Sequence, residues 1–306
     1  MPATDVPFAK GHGTENDFVL LFDPEGRLEL SAATVAALCD RHAGLGADGV
    51  LRVVRSAALE DGVAQAADAE WFMDYRNADG STAQMCGNGT RVFAAYLAAA
   101  GLVPLPDGAA VPIGTRAGVK VVRRHGSSFV TDLGPWAVVG GADAAAAGRD
   151  AGVVVPGVPP GTAGAELPGL SVDLGNPHTV VALPDTDQLR AADLTAAPVV
   201  TPAPADGTNV EIVVPLHDAT ARIGHLAMRV HERGVGETRS CGTGVVAAAV
   251  AARVWGGNGA PSAWTVDVPG GRLGVTLPAG ELLHGATAEL AGPAVVGVRG
   301  VLDDLP

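Results

Sequence analysis

The chain has 306 residues, of which 47% are hydrophobic and 17% charged, enough for two globular domains and unlike a disordered segment. A net charge of −13 leaves no basic patch to neutralise phosphates, which excludes a nucleic-acid partner. No apolar run spans a membrane without Gly, Pro or charge, and residues 1–8 lack a basic n-region and an apolar h-region, so no membrane association and a cytoplasmic location are expected.

Residues 18–22 read as a strand, and Ser31 as the N-cap of a helix that contains Cys39. Gly44-Leu45-Gly46-Ala47-Asp48-Gly49 matches the dinucleotide glycine pattern by letter. It follows a helix and precedes the strand 50–54, whereas the fingerprint needs strand, glycines, helix; a helix-ending turn is expected instead. Residues 70–75 alternate as a strand and stop at the turn Asn77-Ala78-Asp79-Gly80. Cys86-Gly87-Asn88-Gly89-Thr90 then opens an apolar helix that runs to about Gly101. Strands are expected at 119–123 and 128–132, and an Ala/Gly/Pro-rich stretch from Gly140 to Gly169 reads as loop and weakly patterned connection.

The second half repeats this logic. Strands at 171–174, 179–183, 209–214 and 226–230 lead to Cys241-Gly242-Thr243-Gly244-Val245, which opens a second apolar helix; strands at 264–268, 273–277 and 295–298 follow. The pattern predicts an α/β (α+β) fold of two pseudo-symmetric domains, each a largely antiparallel curled sheet around a central helix. The first domain is expected over 1–132, completed by the last strand at about 291–306, and the second over 133–290. The active site is expected in the cleft between them.

The two cysteines carry the chemistry. Each heads a helix, where unpaired N–H groups and a partial positive charge suit a carboxylate and favour thiolate over thiol. Two such ends facing one another would hold an amino acid by its carboxylate with a sulfur on either face of its α-carbon, which points to stereoinversion. Cys39 reads as a small buried hydrophobe, and three cysteines without Cys-x-x-Cys give no disulfide framework. Lys10 and Lys120 are the only lysines, and neither lies in a Gly- or Ser-rich cofactor pocket, so no pyridoxal Schiff base is expected. The eight histidines have no metal-type spacing, and no metal or other cofactor is expected. Glu232 beside Arg233, just before Cys241, could take an ammonium and a carboxylate; as a plain surface pair it would do neither. The turn Gly175-Asn176-Pro177-His178 and the asparagines at 16, 77, 88, 176 and 209 are, by composition alone, ordinary turn residues.

Thr14-Glu15-Asn16-Asp17-Phe18, Tyr75-Arg76-Asn77-Ala78-Asp79-Gly80-Ser81, Met85 through Gly89, Gly175 through His178, Gly207-Thr208-Asn209-Val210-Glu211, and His231 through Gly244 occur in an order that resembles diaminopimelate epimerase. The resemblance runs from about Phe8 to about Ala252. It implies a cofactor-independent enzyme, usually a dimer, that interconverts L,L- and meso-diaminopimelate in lysine and peptidoglycan precursor synthesis. By position, it makes Cys86 and Cys241 the acid and base, with His178 and Glu232 supporting them. Gly87, Asn88, Gly242 and Thr243 would give N–H groups to the reacting carboxylate. Asn77, Asn176, Asn209 and Arg233 would hold the distal carboxylate, Glu232 the distal ammonium, and Asn16 would line the cleft. Where many members carry Gln after the Gly-x-Gly-x-Asp turn, this chain has Gly49. A proline racemase-like enzyme of the same architecture, a non-catalytic amino-acid-binding protein and a thiol–disulfide oxidoreductase are the alternatives. The first would leave Glu232 and Arg233 without partners on a cyclic monocarboxylate.

Overall fold

The computed structural model describes residues 5–158, 166–216, 222–280, 282–303 and 305. The chain forms two compact units, Met1–Asp132 with Ala291–Pro306, and Leu133–Leu290.

The first unit runs β1 (Val6–Gly13), β2 (Asn16–Phe22), α1 (Ala32–Cys39), β3 (Gly49–Arg55), α2 (Glu60–Val63), β4 (Trp71–Asn77), α3 (Gly87–Ala99), β5 (Ala110–Gly114), β6 (Lys120–His125) and β7 (Ser128–Asp132). Successive pairings are antiparallel for β1–β2, parallel for β2–β3, antiparallel for β3–β4, parallel for β4–β5 and antiparallel for β5–β6. Each parallel pair needs a crossover, and α1 and α3 lie in those two connections.

The second unit runs β8 (Trp136–Val138), α4 (Gly141–Ala147), β9 (Ala151–Val154), β10 (Leu167–Asp173), β11 (Pro177–Ala182), α5 (Thr186–Ala191), β12 (Val199–Thr201), β13 (Asn209–Pro215), β14 (Ile223–Glu232), β15 (Gly236–Thr238), α6 (Gly242–Gly256), β16 (Ala263–Val268), β17 (Gly271–Thr276) and β18 (His284–Gly285). The same series recurs: β10–β11 antiparallel, β11–β13 parallel, β13–β14 antiparallel, β14–β16 parallel, β16–β17 antiparallel. The chain leaves this unit within β19 (Glu289–Pro293), and β20 (Val295–Leu302) pairs antiparallel with β1. The expected pseudo-symmetry is therefore real at the level of strand order, with a cysteine helix in the second crossover of each unit. The sheets are more mixed than a hairpin reading suggests.

Period-two alternation sorts the side chains. In the first unit Phe18, Leu20, Leu51, Val53, Trp71 and Met73 join Val92, Phe93 and Leu97 of α3 in one cluster. The residues between them, Val19, Leu21 and Val50, pack with Val35 and Leu38 of α1 in another. Strands covered on both faces read as unbroken apolar runs, as these do. In the second unit Val181, Val210, Ile212 and Val214 pack on the side that holds Leu189 of α5. Their neighbours along β11 and β13, which include His178 and Glu211, take the opposite face, and α6 packs against both strands.

The stretch 140–169 is more ordered than its composition suggests, although 159–165 lie outside the described residues. Gly148 ends α4 in a left-handed conformation at φ 67°, and β9 pairs with both β10 and β12. A short Ala-rich helix and a four-residue strand carry too few periods to show in the sequence.

Candidate active site

Cys86 is the N-cap of α3, with extended φ −140° and ψ 123°; its sulfur accepts the Gly89 N–H at 3.4 Å, the role a Ser or Asp oxygen usually fills. Behind it α3 is buried from Gly87 to Leu97. Asn16 opens β2 on the face shared with Phe18 and α3. The two residues before it, Thr14 and Glu15, sit in the left-handed region at φ 52° and 62°, the two-residue hairpin geometry that glycine and asparagine favour. Asn16 Oδ1 accepts from the Cys86 thiol at 3.7 Å and from Asn88 Nδ2 at 3.1 Å, while Asn16 Nδ2 donates to Asp48 at 2.8 Å. Arg91, 0% exposed, donates from Nη2 to Asn88 Oδ1 at 2.8 Å and from Nη1 to the Gly87 carbonyl at 3.4 Å. Burial pushes the Arg91 guanidinium down to about 10, opposed by the charge of Cys86.

Asn77 stands apart from this cluster and donates to Ser81 Oγ at 3.0 Å. Gly49 is its partner across β3–β4. A Cβ on Gly49 would meet the Arg76 carbonyl oxygen at 2.5 Å, so this position offers the site no side chain unless the backbone shifts. Cys39 is buried in α1, and its thiol is pushed up to about 11 by burial and then by Asp17 and Asp48.

Cys241 caps α6 in a similar extended conformation, φ −117° and ψ 113°, and is 6% exposed. Its surroundings differ from those of Cys86. Alternation along β13 and β14 turns Glu211 and Glu232 to the α6 side. His178 Nδ1 is 2.7 Å from Glu211 Oε1, with both residues buried. A carboxylate can only accept, so Nδ1 carries the proton and the tautomer is set. A Cβ on Gly244 would come within 2.5 Å of Glu211 Oε1; glycine lets the first turn of α6 close over that carboxylate. Glu232 bonds the Thr238 hydroxyl and the Cys241 thiol. Burial, and then the Glu211 charge, raises its carboxyl against those bonds and His178. Burial, followed by the charges of Glu232 and Glu211, pushes the Cys241 thiol well above its ordinary value, against the Thr243 hydroxyl and the Gly244 N–H.

The remaining expected residues of this unit fall into two groups. Asn176 Nδ2 donates to Thr243 Oγ1 at 3.3 Å, and that hydroxyl lies 3.6 Å from Cys241 Sγ. The Arg233 N–H donates to Asn209 Oδ1 at 2.9 Å, and the exposed Arg233 guanidinium donates to the Asp206 carbonyl at 2.7 Å. Gly87 and Gly242 take the first helical positions, whose N–H groups a helix cannot pair internally. Sequence reading assigned no role to Arg91, Glu211 or Thr238. The signal for the first two was present: each is a lone charge in an otherwise apolar helix or strand.

Two units of one strand plan, each with a cysteine-capped helix in its second crossover, make a fold that is also seen in solved structures. A PhzF-family phenazine biosynthesis protein of Bacillus anthracis matches with TM-score 0.65 and 16% identity, covering 98% of this chain and 99% of that one. A hydroxyproline epimerase from Agrobacterium vitis matches with TM-score 0.62 and 14% identity over 99% of this chain and 95% of that one. At these identities the likeness is one of fold. The family model for diaminopimelate epimerase matches residues 8–138 and 170–286. A diaminopimelate epimerase of Streptomyces coelicolor is 50% identical over 98% of this chain and 96% of its own length. The chain belongs to the diaminopimelate epimerase family.

Proposed function

We infer that this chain interconverts L,L- and meso-diaminopimelate by passing the α-proton between the substrate and two thiols, Cys86 and Cys241, on opposite faces of one carbon. The observation that carries this reading is the pair of cysteines capping equivalent buried helices in a chain of this family. An amino-acid α-proton is a very weak acid, so charge must be stabilised on the reacting carboxylate as the proton leaves. The N–H groups of Gly87, Asn88, Gly242 and Thr243, at two positive helix ends, are suited to that task in a closed, dry site. One sulfur takes the proton as thiolate, and the other delivers a proton as thiol. Neither lysine suits a Schiff base: Lys10 is held by Asp17 and by the Leu45 and Gly46 carbonyls, and Lys120 lies on β6.

At the distal end, Asn77, Asn176, Asn209 and Arg233 would take the carboxylate and Glu232 the ammonium. Asn209 fits this role because the Arg233 N–H occupies its carbonyl oxygen, which leaves its amide N–H groups as the donating side. His178 and Glu232 would set the protonation of Cys241, and Asn16 would line the Cys86 side. We place the enzyme in the cytoplasm as a homodimer, supplying lysine and peptidoglycan precursors. A chiral assay with each isomer, without added pyridoxal phosphate or metal, tests the reading. Interconversion of both isomers and inertness toward L-proline are expected; folded protein that turns over neither isomer would overturn it.

A further inference from the structure

The glycine pattern at 44–49 ends α1, and it also delivers a carboxylate. The Leu45 and Gly46 N–H groups donate to the Leu38 carbonyl at 3.0 and 3.1 Å, and the Ala47 N–H to the Cys39 carbonyl at 3.1 Å. Gly44 lies so close to α1 that a Cβ would run into the Ala37 carbonyl, and Gly46 is left-handed at φ 69°. This fold-back sets Asp48 beside the start of β2, where its N–H donates to the Asp17 carbonyl at 2.9 Å. Asp48 Oδ2 accepts the Asp17 N–H at 3.1 Å and Asn16 Nδ2 at 2.8 Å, while Oδ1 accepts from Arg41 Nη2 at 2.7 Å.

Two groups of fixed hydrogen-bonding sense therefore stand at the ends of a pair of amides. A carboxylate only accepts, so Asp48 draws the NH₂ of Asn16 and leaves Asn16 Oδ1 on the other side. A guanidinium only donates, so Arg91, fully buried on α3, draws Asn88 Oδ1 at 2.8 Å and leaves the Asn88 NH₂ to meet Asn16. The two demands agree: Asn88 Nδ2 donates to Asn16 Oδ1 at 3.1 Å. Either end alone would orient both amides. The Cys86 thiol donates to the same Asn16 Oδ1 at 3.7 Å. An acceptor facing the sulfur holds a thiol and disfavours a thiolate, so the locked amide works against the helix end. An amide oxygen also takes no proton at neutral pH. The Cys241 thiol instead meets the Glu232 carboxylate, to which a proton can pass.

We propose that Asp48 and Arg91 are positioning residues that lock the Asn16 and Asn88 amides from opposite ends, so that Cys86 rests as a thiol and enters the reaction as the acid. The inference rests on the reading that Cys86 is one of the two reacting sulfurs. Cys86 gives its proton to an α-carbon that has lost one to the other sulfur, and is left a thiolate; turnover in the opposite direction restores the thiol.

Joint X-ray and neutron diffraction on wild-type crystals exchanged into deuterated water at neutral pH tests the resting state. A deuteron on Cys86 Sγ facing Asn16 Oδ1, with the Asn16 amide deuterons on the Asp48 side, is expected. A bare Cys86 sulfur, or Asn16 Nδ2 facing it, overturns the proposal whether or not any variant folds. Kinetics test the lock. Because either end suffices, kcat of the double variant Asp48→Ala/Arg91→Met should fall at least about tenfold below the product of the two single-variant losses. Asp48→Asn loses the charge as alanine does, but keeps an oxygen pinned by the Asp17 N–H and open to Asn16. Combined with Arg91→Met it should abolish the synergy, which a loss of charge alone would not. Folded variants whose losses simply multiply, or an Asp48→Asn double as impaired as the alanine double, overturn the proposal. Any of these failures with both isomers still interconverted leaves the proposed function standing. The expected deuteron on Cys86 in a chain that turns over neither isomer overturns that function and, with it, the acid role of Cys86.

Discussion

Glu211 offers a stability test built on a single contact. Its side chain is 0% exposed, Oε1 bonds His178 Nδ1 at 2.7 Å, and α6 closes over it at Gly244. Glu211→Ala deletes the acceptor and leaves the His178 N–H buried without a partner. An unsatisfied buried polar group costs about 1–3 kcal/mol, and breaking a buried pair from one side typically about 3–5 kcal/mol in all. For a unit of this size, about 2–4 °C per kcal/mol puts the fall in Tm at about 6–20 °C. Glu211→Gln keeps the shape, and its amide oxygen can still accept from Nδ1, so its loss should be about 1 kcal/mol. Calorimetry of the three proteins at one neutral pH measures both steps. An alanine variant within about 1 kcal/mol of wild type, or a glutamine variant as unstable as alanine, would refute the reasoning. Activity should fall in both variants, because His178 and Glu232 border the same carboxylate.

Other predictions follow from charges elsewhere. Asp74 is 0% exposed and binds Arg76 and Arg116 at 2.9 and 2.6 Å, so Asp74→Asn should cost about 3–5 kcal/mol in denaturant melts, since three arginines lose their common anion. Burial works against the charge of Asp74, yet Arg76 and Arg116 hold its carboxyl below the usual range; its contribution is present above the ordinary Asp value of 3.8 and is lost as pH falls through the lower folded value. Glu232 has the opposite sign: burial raises it, so its contribution is complete below the ordinary 4.5 and is lost as pH rises through the higher folded value, and Glu232→Gln should flatten that part of the stability–pH curve. Arg233→Lys should lower kcat/KM at least about tenfold, about 1.4 kcal/mol, through loss of the planar fork, and near-wild-type kinetics would make Arg233 a surface residue. Glu15→Gly should stabilise the chain by about 1 kcal/mol, measured by thermal melt, by relieving a left-handed residue.

Much of this was legible in the sequence because the relevant patterns are local. Cys-Gly-x-Gly before an apolar run marks a capped, buried helix, and Ser31 accepts the Thr34 N–H as its N-cap role requires. Strand neighbours were not legible, since β2 and β4 look the same whether the next strand lies parallel or antiparallel. The sequence places a helix in each of those two connections, but a helix between two strands does not by itself fix the direction in which the second strand pairs. Glu211 and Arg91 were visible as lone charges, but nothing local names His178 as the partner of Glu211. At Gly49 the sequence displayed a missing side chain, and the structure adds the reason: the Arg76 carbonyl occupies its space.

The central claim is that two sulfurs, not one base, move the proton, and solvent isotope reports on that directly. The proton returned to the far face comes from the second thiol, which has exchanged with water. In deuterated water at early times, deuterium should appear at the inverted α-carbon of the product and be nearly absent from recovered substrate. Cys86→Ala and Cys241→Ala should each remove most epimerisation, by about 10²–10⁴-fold. Deuterium entering the substrate pool as fast as product forms would contradict the two-cysteine account, whichever residues hold the distal end.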